Sequence, residues 1–310
     1  GLSLRVAEVA ALPGHAQTRE RWTKINRLER TGPLVWINEI PFWEFPDHPE
    51  LKCECEAEFA RGVEWSLREK LWHWTHARCD MVVDPVVYSP VARHDSGYGI
   101  VQQEVRGRTD YGMNAADYLP ILRSEADLGK IRTPVITPDH AATDRAYAAT
   151  CELVGDALPV ERRGLVTIWF APWDELVRWW GITELYEDMI ERPAFVHAGI
   201  RRLMDAWLAR LDQLERLGLL SVSNGNHRVG SGGLGITDEL PQKDYDGVHA
   251  RAIDQWGMST GQIFSEASPA MHEEFCLRYE LEWLSRFGLN AYGCCEPLHC
   301  KMHIVRAIPR

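Results

Sequence analysis

The 310-residue sequence contains no apolar run near the roughly 20 residues that a membrane span needs. It has no surplus of positive charge either: 34 Lys+Arg stand against 45 Asp+Glu, a formal charge of −11. Binding to a phosphate backbone draws on excess Lys and Arg, so this balance argues against a general nucleic-acid or anionic-membrane binder. A local basic pocket is still allowed. Residues Gly1–Leu12 lack a basic segment followed by an apolar one, so no secretory signal is read, and there is no initiating Met. No internal repeat and no low-complexity tract interrupts the chain. Eight cysteines in 310 residues fall short of a disulfide-stapled scaffold. The expectation is therefore reduced thiols and a cytoplasmic protein.

Hydrophobic residues make up 45% of the chain, enough for a sizeable core in one large domain or two modest ones. Thirteen tryptophans are a high count. Those on helix faces read as core. Trp36, Trp43, Trp169, Trp173 and Trp256 lie near inferred strand ends and could wall a pocket for a flat or apolar ligand.

Periodicity alternates along the chain. Phe59, Val63, Leu67 and Leu71 recur every four residues and predict a helix. Helices are also expected over Ala142–Val154 and around Trp179 and Trp180. Another should run from Pro193 to a terminating Gly218, and one should start at the N-cap Ser268 and stop at Gly288. Short apolar runs at Leu34–Ile37, Cys79–Asp84, Leu165–Phe170, Leu219–Val222 and Leu289–Tyr292 predict strands. Helix alternating with short strand is the pattern of an α/β fold with a parallel sheet. We expect a (β/α)8 barrel of the TIM type over residues 1–310, incomplete at the C-terminus. The Gly-, Pro- and Asp-rich residues at about 90–140 form an inserted lid or excursion.

In such barrels the loops after the strands carry the chemistry. Tyr292-Gly-Cys-Cys-Glu-Pro-Leu-His299-Cys300 is the sharpest cluster, because thiolate, imidazole and carboxylate are zinc ligands. Cys294 and Cys295 would point to opposite faces on a strand, so both reach one metal only if the segment turns. The bland alternative is a tight loop with one buried Cys. Ser223–Gly235 is glycine-rich and follows a strand, so its exposed N–H groups could hold an anion. Its His227 is a candidate acid/base or metal ligand; the alternative is a surface loop. Glu39, Asp84, Glu266 and Glu296 are carboxylates at strand ends that could handle protons or ligate metal. Cys53-Glu-Cys55 reads as structural.

Three stretches carry a family resemblance. They are Lys24-Ile-Asn-Arg-Leu-Glu-Arg-Thr-Gly-Pro-Leu-Val-Trp-Ile37, Asp188-Met-Ile-Glu-Arg-Pro-Ala-Phe-Val-His197, and Ser265–Glu280 followed by Phe287-Gly-Leu-Asn-Ala-Tyr-Gly-Cys-Cys-Glu-Pro-Leu298. Together they resemble the uroporphyrinogen decarboxylase-like superfamily of β/α barrels, which includes corrinoid-linked methyltransferases. Where the decarboxylases carry an arginine-rich segment, this chain has Asn38-Glu-Ile-Pro-Phe-Trp43 and no arginine. Where the methyltransferases carry His-x-Cys, it has Tyr292-Gly-Cys294, keeping the thiol. The resemblance implies a zinc-assisted methyltransferase using a corrinoid (cobalamin) as cofactor or substrate, with a small-molecule substrate, possible contact with a corrinoid protein, and a homodimer. Cys294, Cys295, Glu296 and His227 are the expected metal set. His227, Glu296, Asp84 and Glu39 are the expected catalytic residues. Trp36, Asn38, Trp173, Asn224, Asn226 and Tyr292 are expected to contact substrate. The alternatives are a metal-free decarboxylase or lyase, and a non-catalytic corrinoid- or tetrapyrrole-binding protein.

Overall fold

The computed structural model describes residues 1–106 and 116–310. The chain opens with helices α1 (Leu2–Ala10), α2 (Gly14–Asn26) and α3 (Glu58–His76). Strands β1 (Val87–Pro90), β2 (Arg93–Asp95), β3 (Glu104–Arg106), β4 (Ala116–Tyr118) and β5 (Ile136–Pro138) follow. Next come α4 (His140–Val154), β6 (Val160–Arg163), α5 (Pro172–Trp180), α6 (Ile182–Glu191) and α7 (Pro193–Arg216). A small hairpin of β7 (Arg228–Val229) and β8 (Gly233–Leu234) leads to β9 (Trp256–Ser259). A long helical segment then runs from α8 (Pro269–Met271) through a π-helical turn, His272–Leu277, into α9 (Arg278–Leu284). β10 (Leu289–Tyr292) and α10 (Met302–Val305) close the chain.

The helices form where local chemistry favours them. Pro193 occupies the first turn of α7, where its missing N–H costs nothing. Val196, Ile200, Leu203, Leu211 and Leu214 then return to one face and are buried. Gly218, at φ 65°, supplies the left-handed turn that ends the helix. The Ser268 hydroxyl accepts from Met271 N at 3.2 Å, as an N-cap should. Much of the core gathers here: Phe170 stacks on Trp283 with ring centroids 4.3 Å apart, and Trp207 meets both edge-on.

The sheet differs from the expected barrel. β1 pairs with β6 and β9 with β10, both parallel. Between them lie a single parallel bridge, Leu165–Leu220, and one bond from Ser223 N to Asp254 O at 3.3 Å. These parallel contacts follow chain order. Every sheet among the described residues nevertheless has two strands, and no closed barrel is found. The reason is visible in the hydrogen bonds. Side chains satisfy backbone groups that a ladder would otherwise pair. Gln255 Nε2 donates to Leu165 O and Ser221 O, at 2.6 and 2.7 Å. Gly164 N donates to Ser221 Oγ, and Trp256 N to Ser223 Oγ, both at 2.8 Å. The Asp80 carboxylate accepts from Val35 N at 2.8 Å, so Leu34–Ile37 and Cys79–Asp84 run beside each other as irregular chain.

The 90–140 excursion is built of nested antiparallel pairs, β2 with β5 and β3 with β4. Leu122 and Ile131 anchor it in the core. It is thus a packed layer as well as an insertion; residues 107–115 of it lie outside the described residues.

Candidate functional site

The ends of β9 and β10 carry the densest chemistry. Gly293, at φ 101°, turns the chain out of β10. Because of that turn Cys294 and Cys295 do not diverge as strand neighbours would; their Sγ atoms lie 3.6 Å apart, and both residues are exposed. Glu296 holds the turn in place. Its Oε1 accepts from Thr260 Oγ1 at 2.8 Å and Gly261 N at 2.6 Å, and its Oε2 accepts from Cys294 N at 2.6 Å. Asp174, in the first turn of α5, faces the same loop. Burial pushes its carboxyl above the usual range, and the nearby Glu296 adds to that. Burial, Cys295, Glu296 and Asp174 likewise push the Cys294 thiol up.

Directly beneath lies a buried polar chain. Lys301 is 1% exposed and donates to Phe264 O and, at 3.3 Å, to His272 Nδ1. With Nδ1 accepting, His272 Nε2 carries the proton and donates to Tyr292 Oη at 2.7 Å. Tyr292 donates to Glu280 Oε2 at 2.8 Å, and Ser259 Oγ donates to Glu280 Oε1 at 2.6 Å. Every donor therefore points toward Glu280, which is fully buried. Burial lowers the His272 imidazole to about 4 and raises the Glu280 carboxyl. Tyr292 is thus part of the network that supports the loop.

Two groups of three or more His, Cys, Asp or Glu bring their ligand atoms within 4.8 Å of one another among the described residues: His272/Cys276/Glu280 and His48/Glu50/His76. Cys294, Cys295, Glu296 and His227 do not form such a group. Glu296 spends its oxygens on the loop, and His227 sits elsewhere, packed against Gly235. A Cβ on Gly235 would meet His227 Cε1 at 2.5 Å, so glycine is required there. Both ring nitrogens of His227 are shielded and have no partner. Burial, with Arg163 nearby, lowers this imidazole to about 4. Arg163 itself makes no ion pair among the described residues and lies 4.0 Å over the Tyr88 ring.

The remaining predicted residues separate into four fates. Trp36, Asn38 and Asn226 do come together, lining a cleft of 260 Å³ with Lys70 and His73. Glu39 and Asp84 are held in ion pairs with Arg228 and Arg19, which occupies them structurally. Trp173 is fully buried, edge-on to Phe264 at 4.9 Å, and belongs to the core rather than a pocket wall. Asn224 donates to Leu240 O at 3.1 Å and is part of the loop's own bonding.

Sequence reasoning missed Asp174, Lys301, Ser259 and the His272/Cys276/Glu280 row. That row was visible as i, i+4, i+8 spacing in Ser265–Glu280, beside the apolar stripe Met271, Phe275, Tyr279 and Trp283. Comparison of the chain with family models, with curated proteins and with solved structures gives no match.

Proposed function

We propose that the chain is a methyl-transferring enzyme whose centre is the thiol pair Cys294/Cys295. The observation that carries this reading is the 3.6 Å separation of the two Sγ atoms. Two thiolates at the usual Zn–S distance of about 2.3 Å and a tetrahedral angle lie about 3.8 Å apart, so this spacing fits the bite of a zinc ion. The pair is exposed, as a site that admits substrate needs to be. A bound zinc would lower the pKa of a substrate thiol or similar acceptor and yield a nucleophile at neutral pH. Cys294 and Cys295 would hold it. Glu296 fixes the loop through three accepted hydrogen bonds, and Asp174 places a second carboxylate beside the thiols. A corrinoid as methyl donor or acceptor, an incomplete β/α barrel and a reducing, cytoplasmic setting complete the reading. The parallel contacts running in chain order support the barrel.

Zinc analysis of the purified protein tests it. The reading expects stoichiometric zinc that is lost in the Cys294→Ser, Cys295→Ser double variant together with methyl transfer to or from cobalamin. No zinc after reconstitution, or unchanged turnover in the double variant, overturns it.

A second reading, decarboxylation or lyase chemistry, draws on a different observation: among the described residues, Arg163 has no ion-pair partner and lies beside His227, both of whose ring nitrogens are unpartnered. A half-buried cation and a neutral imidazole are what a carboxylate-bearing substrate would engage. Retained methyl transfer in Arg163→Met would set this reading aside.

A further inference from the structure

Lys70 is unusual among the basic residues of this chain. It lies on α3, is partly buried, and makes no hydrogen bond or ion pair among the described residues. Glu69, its neighbour in sequence, turns toward His73 instead, 3.9 Å away. Desolvation pushes the Lys70 amine below its usual range. A cation partly withdrawn from water and left without a partner favours an anion beside it.

Lys70 also stands at a boundary between two spaces. On one side is a cavity of 570 Å³ between α3 and β1, walled by Phe59, Val63, Leu67, Val86, Val87 and Pro90. On the other is the 260 Å³ cleft of Trp36, Asn38 and Asn226. Lys70 and Ser66 line both. The larger space is within the range of small-molecule pockets and is mostly apolar. Lys70 is the one cation among the residues lining either space. The acids are Glu58, on the first turn of α3, and Glu69, directed to His73.

We propose that these joined spaces bind an apolar monocarboxylate, its hydrocarbon part in the 570 Å³ cavity and its carboxylate at the Lys70 ammonium and the Ser66 hydroxyl. The site is separate from the thiol pair and does not depend on its chemistry. The apolar walls supply affinity through area removed from water, and the single cation selects a negative head group.

The test uses the full chain and three eight-carbon probes: octanoate, 1-octanol and octylamine. Binding is read by calorimetry and by quenching of Trp36, which lines the cleft. Octanoate should bind at least tenfold more tightly than octanol, and octylamine more weakly than both. Lys70→Met should lose that octanoate preference while keeping octanol affinity within threefold. Lys70→Arg should retain the preference. Circular dichroism of each variant confirms the fold, and Ser66→Ala, which leaves Lys70 in place, should weaken octanoate only a few-fold. Equal binding of octanoate and octylamine, no octanoate binding, or an undiminished preference in Lys70→Met each overturns the proposal.

Discussion

Two polar clusters of this molecule, one almost fully buried and one only partly so, are built on opposite terms. Beneath β10, Lys301, His272, Tyr292, Glu280 and Ser259 form a chain in which each donor has an acceptor. Elsewhere, among the described residues, Lys70 makes no hydrogen bond or ion pair, Arg163 lies over an aromatic ring without an ion pair, and neither ring nitrogen of His227 is satisfied. Buried polar groups normally find partners, and an unpaired one is costly to leave. A fully paired network therefore stiffens the frame that carries Gly293–Glu296. An unpaired set marks where something outside the chain is meant to complete the bonding.

The largest test of this contrast is Glu280→Ala. It removes the acceptor toward which the chain points and strands the buried hydroxyls of Tyr292 and Ser259. Denaturant unfolding should show a loss of about 2–5 kcal/mol; a loss under 1 kcal/mol would mean that the network carries little. Next comes the acid side of the unpaired set. His227 titrates near 4 in the folded chain and near 6.5 when unfolded. Between those values the unfolded chain takes up a proton that the folded chain refuses, so stability falls as pH drops from about 6.5 to 4. The contribution is roughly 1–3 kcal/mol. His227→Phe should remove that part of the acid loss in urea melts at pH 7 and pH 4.5; identical pH slopes in both proteins would contradict the assignment. Ser259→Ala takes one of the two hydroxyl donors from Glu280 and should cost about 1 kcal/mol, read the same way. The smallest effect belongs to Lys70→Met, whose side chain makes no hydrogen bond or ion pair among the described residues. Its unfolding free energy should stay within about 0.5 kcal/mol or rise; a large loss would mean that Lys70 is structural.

The helices were legible because their evidence is local. The four-residue rhythm of Phe59, Val63, Leu67 and Leu71, the cap at Ser268 and the Pro193–Gly218 pair each act within a few residues. Of the five apolar runs expected as strands only Leu289–Tyr292 forms one; Leu165–Phe170 and Leu219–Val222 share a single bridge, and Leu34–Ile37 and Cys79–Asp84 are irregular. Asp80, Ser221, Ser223 and Gln255 take over backbone bonds through their side chains, and nothing in a run such as Leu34–Ile37 announces that. The helix at Ser268 was predicted to reach Gly288. It ends at Leu284, and Gly288 instead lets the chain pass Ile253 O, which a Cβ would approach to 2.3 Å.

The site was half legible. Cys294, Cys295 and Glu296 announced themselves by crowding, and their arrangement depended on one turn at Gly293. The π-helical turn His272–Leu277 buries a second row, His272, Cys276 and Glu280, beside the apolar stripe. A regular 3.6-residue reading assigns those three to a polar face. Lys70 and Arg163 gave no signal, since a lone basic residue on a helix or strand usually faces water.

The thiol pair is the centre of the functional reading, and one titration bears on it most directly. Adding Co²⁺ to the reduced, metal-stripped protein should produce a thiolate-to-metal charge-transfer band that saturates at one equivalent and is displaced by Zn²⁺. The band should be absent in the Cys294→Ser, Cys295→Ser double variant and intact in Cys276→Ser. A band that survives loss of Cys294 and Cys295, or no band in the unaltered chain, would contradict the account.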